Sequence, residues 1–306
     1  MKTKRPMSLG RLKEQITLQS MILPAMIVLL IFAYIPMYGI IIAFKDFNYR
    51  DGIWGSDWVG LKHFISLLKD PNLWNVLRNT MIINVLGTLI CFPAPIMLAL
   101  IINELPNGKF KKVTQTVSYL PHFLSWVIFA GIVLEMLRPS GILSDLWVTL
   151  GISKEPVNFM VHGPWFYIIF VLSSLVKGLG YGSIIYVAAL AGVDQEVVEA
   201  SVVDGCSRWQ RVRHILIPSI MGTVVVMLIL QIGSILNTGL EQVLIFQNSI
   251  NLPYSETLDT YVYKVGIAQG RMSYSTAVSL LKSLVSVVLL VMANTFSKKV
   301  TDRGLF

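Results

Sequence analysis

The sequence predicts an all-α integral membrane protein of six transmembrane helices, with both termini on the cytoplasmic side. Three observations carry this. Of its 306 residues, 54% are hydrophobic and only 14% are charged, against roughly a quarter charged in soluble domains. Apolar runs long enough to cross about 30 Å of hydrocarbon, at about 1.5 Å per residue, recur six times. Lys and Arg crowd alternate segments between those runs.

The first span covers 21–44, after a basic N-terminal segment (1–20). Its uncharged run is too long for a signal-peptide core, and no small-residue cleavage site closes it, so it reads as a span that stays. The other spans cover 79–102, 113–137, 165–190, 215–239 and 274–296. Pro24, Pro36, Pro93, Pro95 and Pro121 fall inside spans, where they kink helices and release carbonyls that neighbours or water must satisfy. With the N-terminus inside, the inner segments 1–19, 103–113, 191–214 and 297–306 hold 14 Lys and Arg in 64 residues. The outer segments 45–78, 138–163 and 240–273 hold 9 in 94. The net charge of +8 therefore reads as a membrane-orienting bias, not as a nucleic-acid surface.

Trp54, Trp58, Trp74 and Trp147 of the outer segments read as interfacial anchors against membrane lipid or, alternatively, as contacts for an external partner. Residues 142–150 (ILSDLWVTL) read as a short amphipathic piece. Cys91 and Cys206 fall at different depths, so no disulfide is expected. No linker, repeat or second domain interrupts the pattern, and residues 1–306 read as a single transmembrane domain.

The segment 191–214 differs from the other loops. Residues 199–218 read EASVVDGCSRWQRVRHILIP. Asp194 caps a helix running through Glu196, Val197, Val198 and Ala200. Asp204-Gly205 ends it, because glycine accepts the left-handed backbone of a sharp turn. Ser207 and Gln210 make a capping box that starts a second helix. That helix places Trp209, Val212 and Ile215/Leu216 on one face, with Arg208 and Arg211 on another. Pro218 marks the entry to the fifth span. The product is a stiff helix–turn–helix bracket. Physics alone leaves two uses open: a solvated loop on lipid headgroups, or a docking surface for a soluble partner.

The stretch resembles the EAA loop of permease subunits of binding-protein-dependent ABC importers. That pattern runs E-A-A, three residues, G, nine residues, I, one residue, L-P. Glu199, Ala200, Ser201, Gly205, Ile215, Ile217 and Pro218 stand at that spacing, with Ser201 in place of Ala and Ile217 in place of Leu. Asp204 and Trp209-Gln210 resemble the carbohydrate branch. FAYIPMYGIIIAFKDFN (32–48), VGLKHF (59–64), ALIINEL (99–105), SYLPHFLSW (118–126) and DTYVYKVGI (259–267) resemble its polysaccharide-type subgroup.

The resemblance implies a type I ABC importer permease fold and a second permease subunit, most simply a different chain. It also implies two ATPase subunits, an extracellular solute-binding protein and an oligosaccharide substrate. ATP and its magnesium would sit on the ATPases, with no cofactor on this chain. The resemblance gives the ATPase-coupling role to Glu199, Ala200, Ser201, Asp204, Gly205, Arg208, Trp209 and Pro218. Consistent with this, no G-x-x-x-x-G-K-[ST] phosphate loop occurs in the sequence.

Saccharides are held by aromatic faces and by polar groups aimed at hydroxyls. The pathway candidates are therefore Lys177, Tyr181, Trp126, His122, Asn237, Gln242 and Lys282, with Tyr119 and Gln231 beside them. Two readings of the lysines stay open. Facing the cavity, they suit an anionic saccharide. Otherwise Lys282 snorkels outward and Lys177 pairs with a carbonyl or with Glu135. His63, His122, His162 and His214 lack metal-ligand spacing, and no catalytic nucleophile–base set assembles. An ATP-independent secondary transporter would need midplane carboxylates; a membrane-embedded hydrolase would need that missing nucleophile set.

Overall fold

A computed structural model of the chain describes residues 9–161, 163–301 and 304. Residues 1–8 of the basic N-terminal segment (1–20), together with His162 and Arg303, lie outside the described residues.

The first span opens with α1 (Leu9–Leu29). It widens to a π-turn at Leu30–Tyr34 and then tightens to 3₁₀ geometry over Ile35–Phe44. Pro36 accounts for the widening. Lacking an N–H, it cannot bond the carbonyl four residues back, and Ile35 donates to Leu30 O instead. Strands β1 (Lys45–Asp46) and β2 (Asp57–Trp58) pair antiparallel around α2 (Gly52–Gly55), and α3 (Lys62–Leu68) follows. The second span divides into α4 (Pro71–Cys91) and α5 (Pro93–Glu104) at Pro93.

The third span departs from the sequence expectation. Residues 113–137 are not one helix: α6 (Lys109–Phe123) and α7 (Trp126–Leu137) are separated by extended backbone at Leu124 and Ser125. The apolar stretch long enough to cross runs Trp126–Thr149, through α7 and α8 (Ile142–Thr149). Helix α9 (Trp165–Ala191) is the fourth span and the most buried of the six. α4, α5 and α6 pack around it, and Gly180 lets α6 come close, since a Cβ there would lie 2.0 Å from Ser118 O.

The bracket consists of α10 (Gln195–Val203) and α11 (Arg208–Arg211), joined through a π-turn at Val212–Leu216 to α12 (Ile217–Gly233). The fifth span was expected to reach 239; it ends at Gly233, and Ser234–Gly239 form a turn. Then come α13 (Leu240–Phe246), α14 (Leu252–Ser255), α15 (Leu258–Tyr263) and the last span, α16 (Met272–Thr301).

Buried apolar residues form three clusters. One lies near the bracket, around Leu190, Leu216 and Ile220. One lies in mid-bundle, around Phe166 and Phe246. One lies at the far end, around Leu67, Tyr261 and Tyr274. The first span contributes almost nothing to them: Met21, Leu30, Phe32 and Ile35 are all about half exposed or more. Trp147 is a correction. It packs edge-on against Phe159 and Trp165, inside the mid-bundle cluster, whereas Trp54, Trp58 and Trp74 remain exposed. Cys91 and Cys206 are free thiols, one half-buried and one exposed.

The coupling bracket and the candidate pathway

The bracket forms for the local reasons its sequence contains. Asp194 accepts a hydrogen bond from Glu196 N at 2.9 Å and caps α10. Gly205 turns the chain at φ +78°, a conformation that costs a residue with a Cβ about 1–2 kcal/mol. Ser207 and Gln210 complete the capping box, Ser207 N donating to Gln210 Oε1 at 2.8 Å. Pro218 repeats the device of Pro36. It cannot donate to His214 O, and Ile217 donates to Val212 O, making the π-turn.

The bracket's faces differ sharply. Val198 and Val212 pack toward Leu190 and Leu216, and Ser201 is buried. Glu199, Ala200, Asp204, Arg208 and Pro218 are exposed. Val203 is 87% and Trp209 70% exposed. Among the described residues, the side chains of Glu196, Glu199, Asp204, Arg208 and Arg213 have no hydrogen bond or ion pair. Arg211 departs from its expected surface role: it turns inward and pairs with Glu104 Oε2 at 2.5 Å.

The lysines resolve differently from the cationic reading. Lys177 is buried, and its Nζ donates to the carbonyls of Pro121 (3.2 Å), His122 (3.0 Å) and Leu124. These are carbonyls at the broken end of α6, so the ammonium caps a helix C-terminus where the dipole is negative. It also lies 5.2 Å above the Trp126 ring. Glu135 pairs with Arg138 instead. Lys282 does not snorkel outward; it pairs with Asp259, which also accepts from Thr238 N and Oγ1. Neither lysine is an unpaired cation.

The uncharged candidates partly converge. His122 stacks flat on Tyr181 at 3.8 Å, held there by the Lys177 clasp one turn below. Tyr181 lines a cavity of 590 Å³ that also meets Cys91, Phe92, Tyr186 and Gln231. A smaller cavity of 160 Å³ shares Cys91 and Gln231 with it and adds Asn84, Thr88, Ser174, Thr238 and Gln242. Thr88 Oγ1 is buried there with no partner among the described residues. Gln242 is largely committed to Phe170 O (3.0 Å) and Ser174 Oγ. Asn237 is exposed in the turn after α12, outside both cavities. Sequence reasoning missed Asn84 and Thr88, although their i, i+4 spacing within an apolar run signals a polar stripe on one face of α4. Among the described residues no group of three His, Cys, Asp or Glu could hold a metal ion.

Residues 91–302, which span the larger cavity, the bracket and the last helix, match the family described as binding-protein-dependent transport system inner membrane component. The chain belongs to this family. It is 42% identical over 299 residues to protein LplB of Bacillus subtilis (strain 168), covering 97% of this chain and 93% of the relative. It is also 42% identical over 306 residues to the polygalacturonan/rhamnogalacturonan transport system permease protein YteP of the same strain, covering 100% and 95%. Its fold matches a chain of a bacterial alginate ABC transporter solved with an alginate pentasaccharide-bound periplasmic protein: TM-score 0.86, 33% identity, 97% and 99% coverage. The six-span arrangement is thus the type I ABC importer permease fold, and the chain is a multi-pass cytoplasmic-membrane transport permease.

Proposed function

We propose that this chain forms one half of the pathway of an ABC importer for an oligosaccharide or polysaccharide fragment. A second permease subunit supplies the other half, two cytoplasmic ATPases drive it, and an extracellular binding protein delivers the substrate. The Lys/Arg bias supports placing the bracket end on the cytoplasmic side. Glu199, Ala200, Asp204, Arg208 and Trp209 present the docking surface, and Gly205 sets its turn.

The observation that carries this reading is the bracket's exposed face. Glu196, Glu199, Asp204, Arg208 and Trp209 stand out from a doubly capped helix pair, and Arg213 from the turn after it, without side-chain partners among the described residues. The saccharide class is supported by the cavity, where Tyr181, with His122 stacked against it, offers a ring face and Gln231, Asn84 and Thr88 offer hydroxyl partners. It is supported also by what the similar proteins are said to transport. Neither lysine's donors are left free for an acidic substrate: Lys177 donates to three backbone carbonyls and Lys282 pairs with Asp259.

The test is purification of the detergent-solubilised chain from its native host, beside Glu199→Lys and Gly205→Pro. An ATPase that accompanies the parent chain and is lost from both variants supports the reading. A correctly inserted parent that brings down no ATPase overturns it.

A further inference from the structure

We propose that the Glu104–Arg211 ion pair is the tie through which the bracket moves the second span. Glu104 is the last residue of α5 and Arg211 the last of α11. They are 107 residues apart in sequence, yet their side chains meet at 2.5 Å and are only 20% and 15% exposed. Among the described residues this is the one ion pair that joins the bracket to a span.

The other contacts between the bracket and the bundle are apolar: Val198 and Val212 lie against the cluster of Leu100, Leu190 and Leu216. Apolar surfaces hold by area and have no preferred direction, so they permit sliding. A half-buried charge pair is weakly screened and costs much to separate. It therefore transmits displacement where the apolar contacts let it slip.

The chain itself offers a softer route. Directly after Arg211 comes the π-turn at Val212–Leu216, held open by Pro218. A π-turn interrupts the regular i→i−4 ladder of a helix. A push on α11 would be absorbed there unless a second connection carried it into the bundle. Glu104 is positioned for that connection, and through α5 it reaches Phe92 and Pro95, both lining the 590 Å³ cavity. A polar cavity of 680 Å³ beside the pair, lined also by Gln195 and Lys111, leaves the two side chains room to travel together. Both are positioning residues, and the inference rests on the bracket's being the ATPase-docking surface.

The experiment uses the complex isolated through this chain and placed in lipid nanodiscs. Amide hydrogen exchange is compared with and without ATP plus vanadate in two segments: the bracket (194–211) and the end of the second span with its loop (93–108). In the parent, both segments respond to nucleotide. In Glu104→Gln and in Arg211→Gln, the bracket response persists because the ATPase still docks, while the 93–108 response falls below about half of the parent's. The double exchange Glu104→Arg with Arg211→Glu restores it, which a lost fold could not do. Full 93–108 responses in both single variants overturn the tie. So does a double variant that keeps its ATPase but recovers nothing. A parent complex without any ATPase removes the docking reading first, and the tie with it.

Discussion

The bracket and the far end of the bundle are both polar segments between spans, yet they use polarity in opposite ways. At the far end the buried polar groups are satisfied within the chain. Asp70 accepts from Asn72 N at 2.9 Å, from Tyr274 Oη at 2.9 Å and from Tyr261 Oη. Asn79 donates to Pro253 O and Glu256 O and accepts from Tyr167. Lys264 pairs with Glu256 at 2.8 Å. In the bracket, Glu199, Asp204, Arg208 and Arg213 are exposed and have no side-chain partner among the described residues. The first arrangement closes a structure; the second leaves a surface for something else. Buried polar groups are retained when hydrogen-bonded, whereas exposed charges of this kind are what the proposed docking surface requires.

The comparison predicts a graded set of stability effects, each read as thermal unfolding of the purified chain in detergent. Asp70→Ala is the most damaging, at about 2–4 kcal/mol, because two buried tyrosine hydroxyls lose their acceptor and α4 loses its cap. It also removes an acid-sensitive contribution. Burial alone would raise the Asp70 pKa, but donation from Tyr261, Asn72 N and Tyr274, with the Arg271 charge, holds it below the ordinary value. Burial and the same hydrogen bond push the Tyr261 phenol up, keeping it a neutral donor. The folded carboxylate's pKa is depressed, so its stabilisation is complete above the unfolded value near 3.9 and fades as pH falls through the lower folded one. The gap between parent and Asp70→Ala should therefore narrow below about pH 4.

Gly180→Ala comes next, at about 1–3 kcal/mol, since its methyl meets the Ser118 carbonyl and α6 must shift away from α9. That shift also disturbs the His122–Tyr181 stack, so uptake should fall more than stability alone explains. Gly205→Ala should cost about 1 kcal/mol, purely from its left-handed backbone, because nothing lies within 4 Å of the added carbon. Arg208→Ala and Arg213→Ala should stay within about 0.5 kcal/mol of the parent. Bracket charges as stabilising as Asp70 would erase the distinction between the two regions.

Much of this was legible in the sequence, and the failures have a common cause. The Asp194 cap, the Gly205 turn and the Ser207–Gln210 box are local signals, and all appear where their residues stand. The break in the third span was half legible. Ser125 is an N-cap, accepting from Ile128 N at 3.3 Å, but the lysine that satisfies the carbonyls before it lies more than 50 residues away. The Lys282–Asp259 and Arg211–Glu104 pairs are likewise products of tertiary packing. A charge in an apolar run announces that it needs a partner, and the sequence alone does not say which.

The most direct test of the bracket as a cytoplasmic docking surface uses a residue already in place. Cys206, next to Gly205, is an exposed thiol, and Cys91 is half-buried within a span. A membrane-impermeant maleimide should leave Cys206 unlabelled in right-side-out vesicles. In inside-out vesicles it should react only after peripheral proteins are stripped away. Labelling of Cys206 from the outside, or equal labelling of inside-out vesicles before and after stripping, would contradict the account.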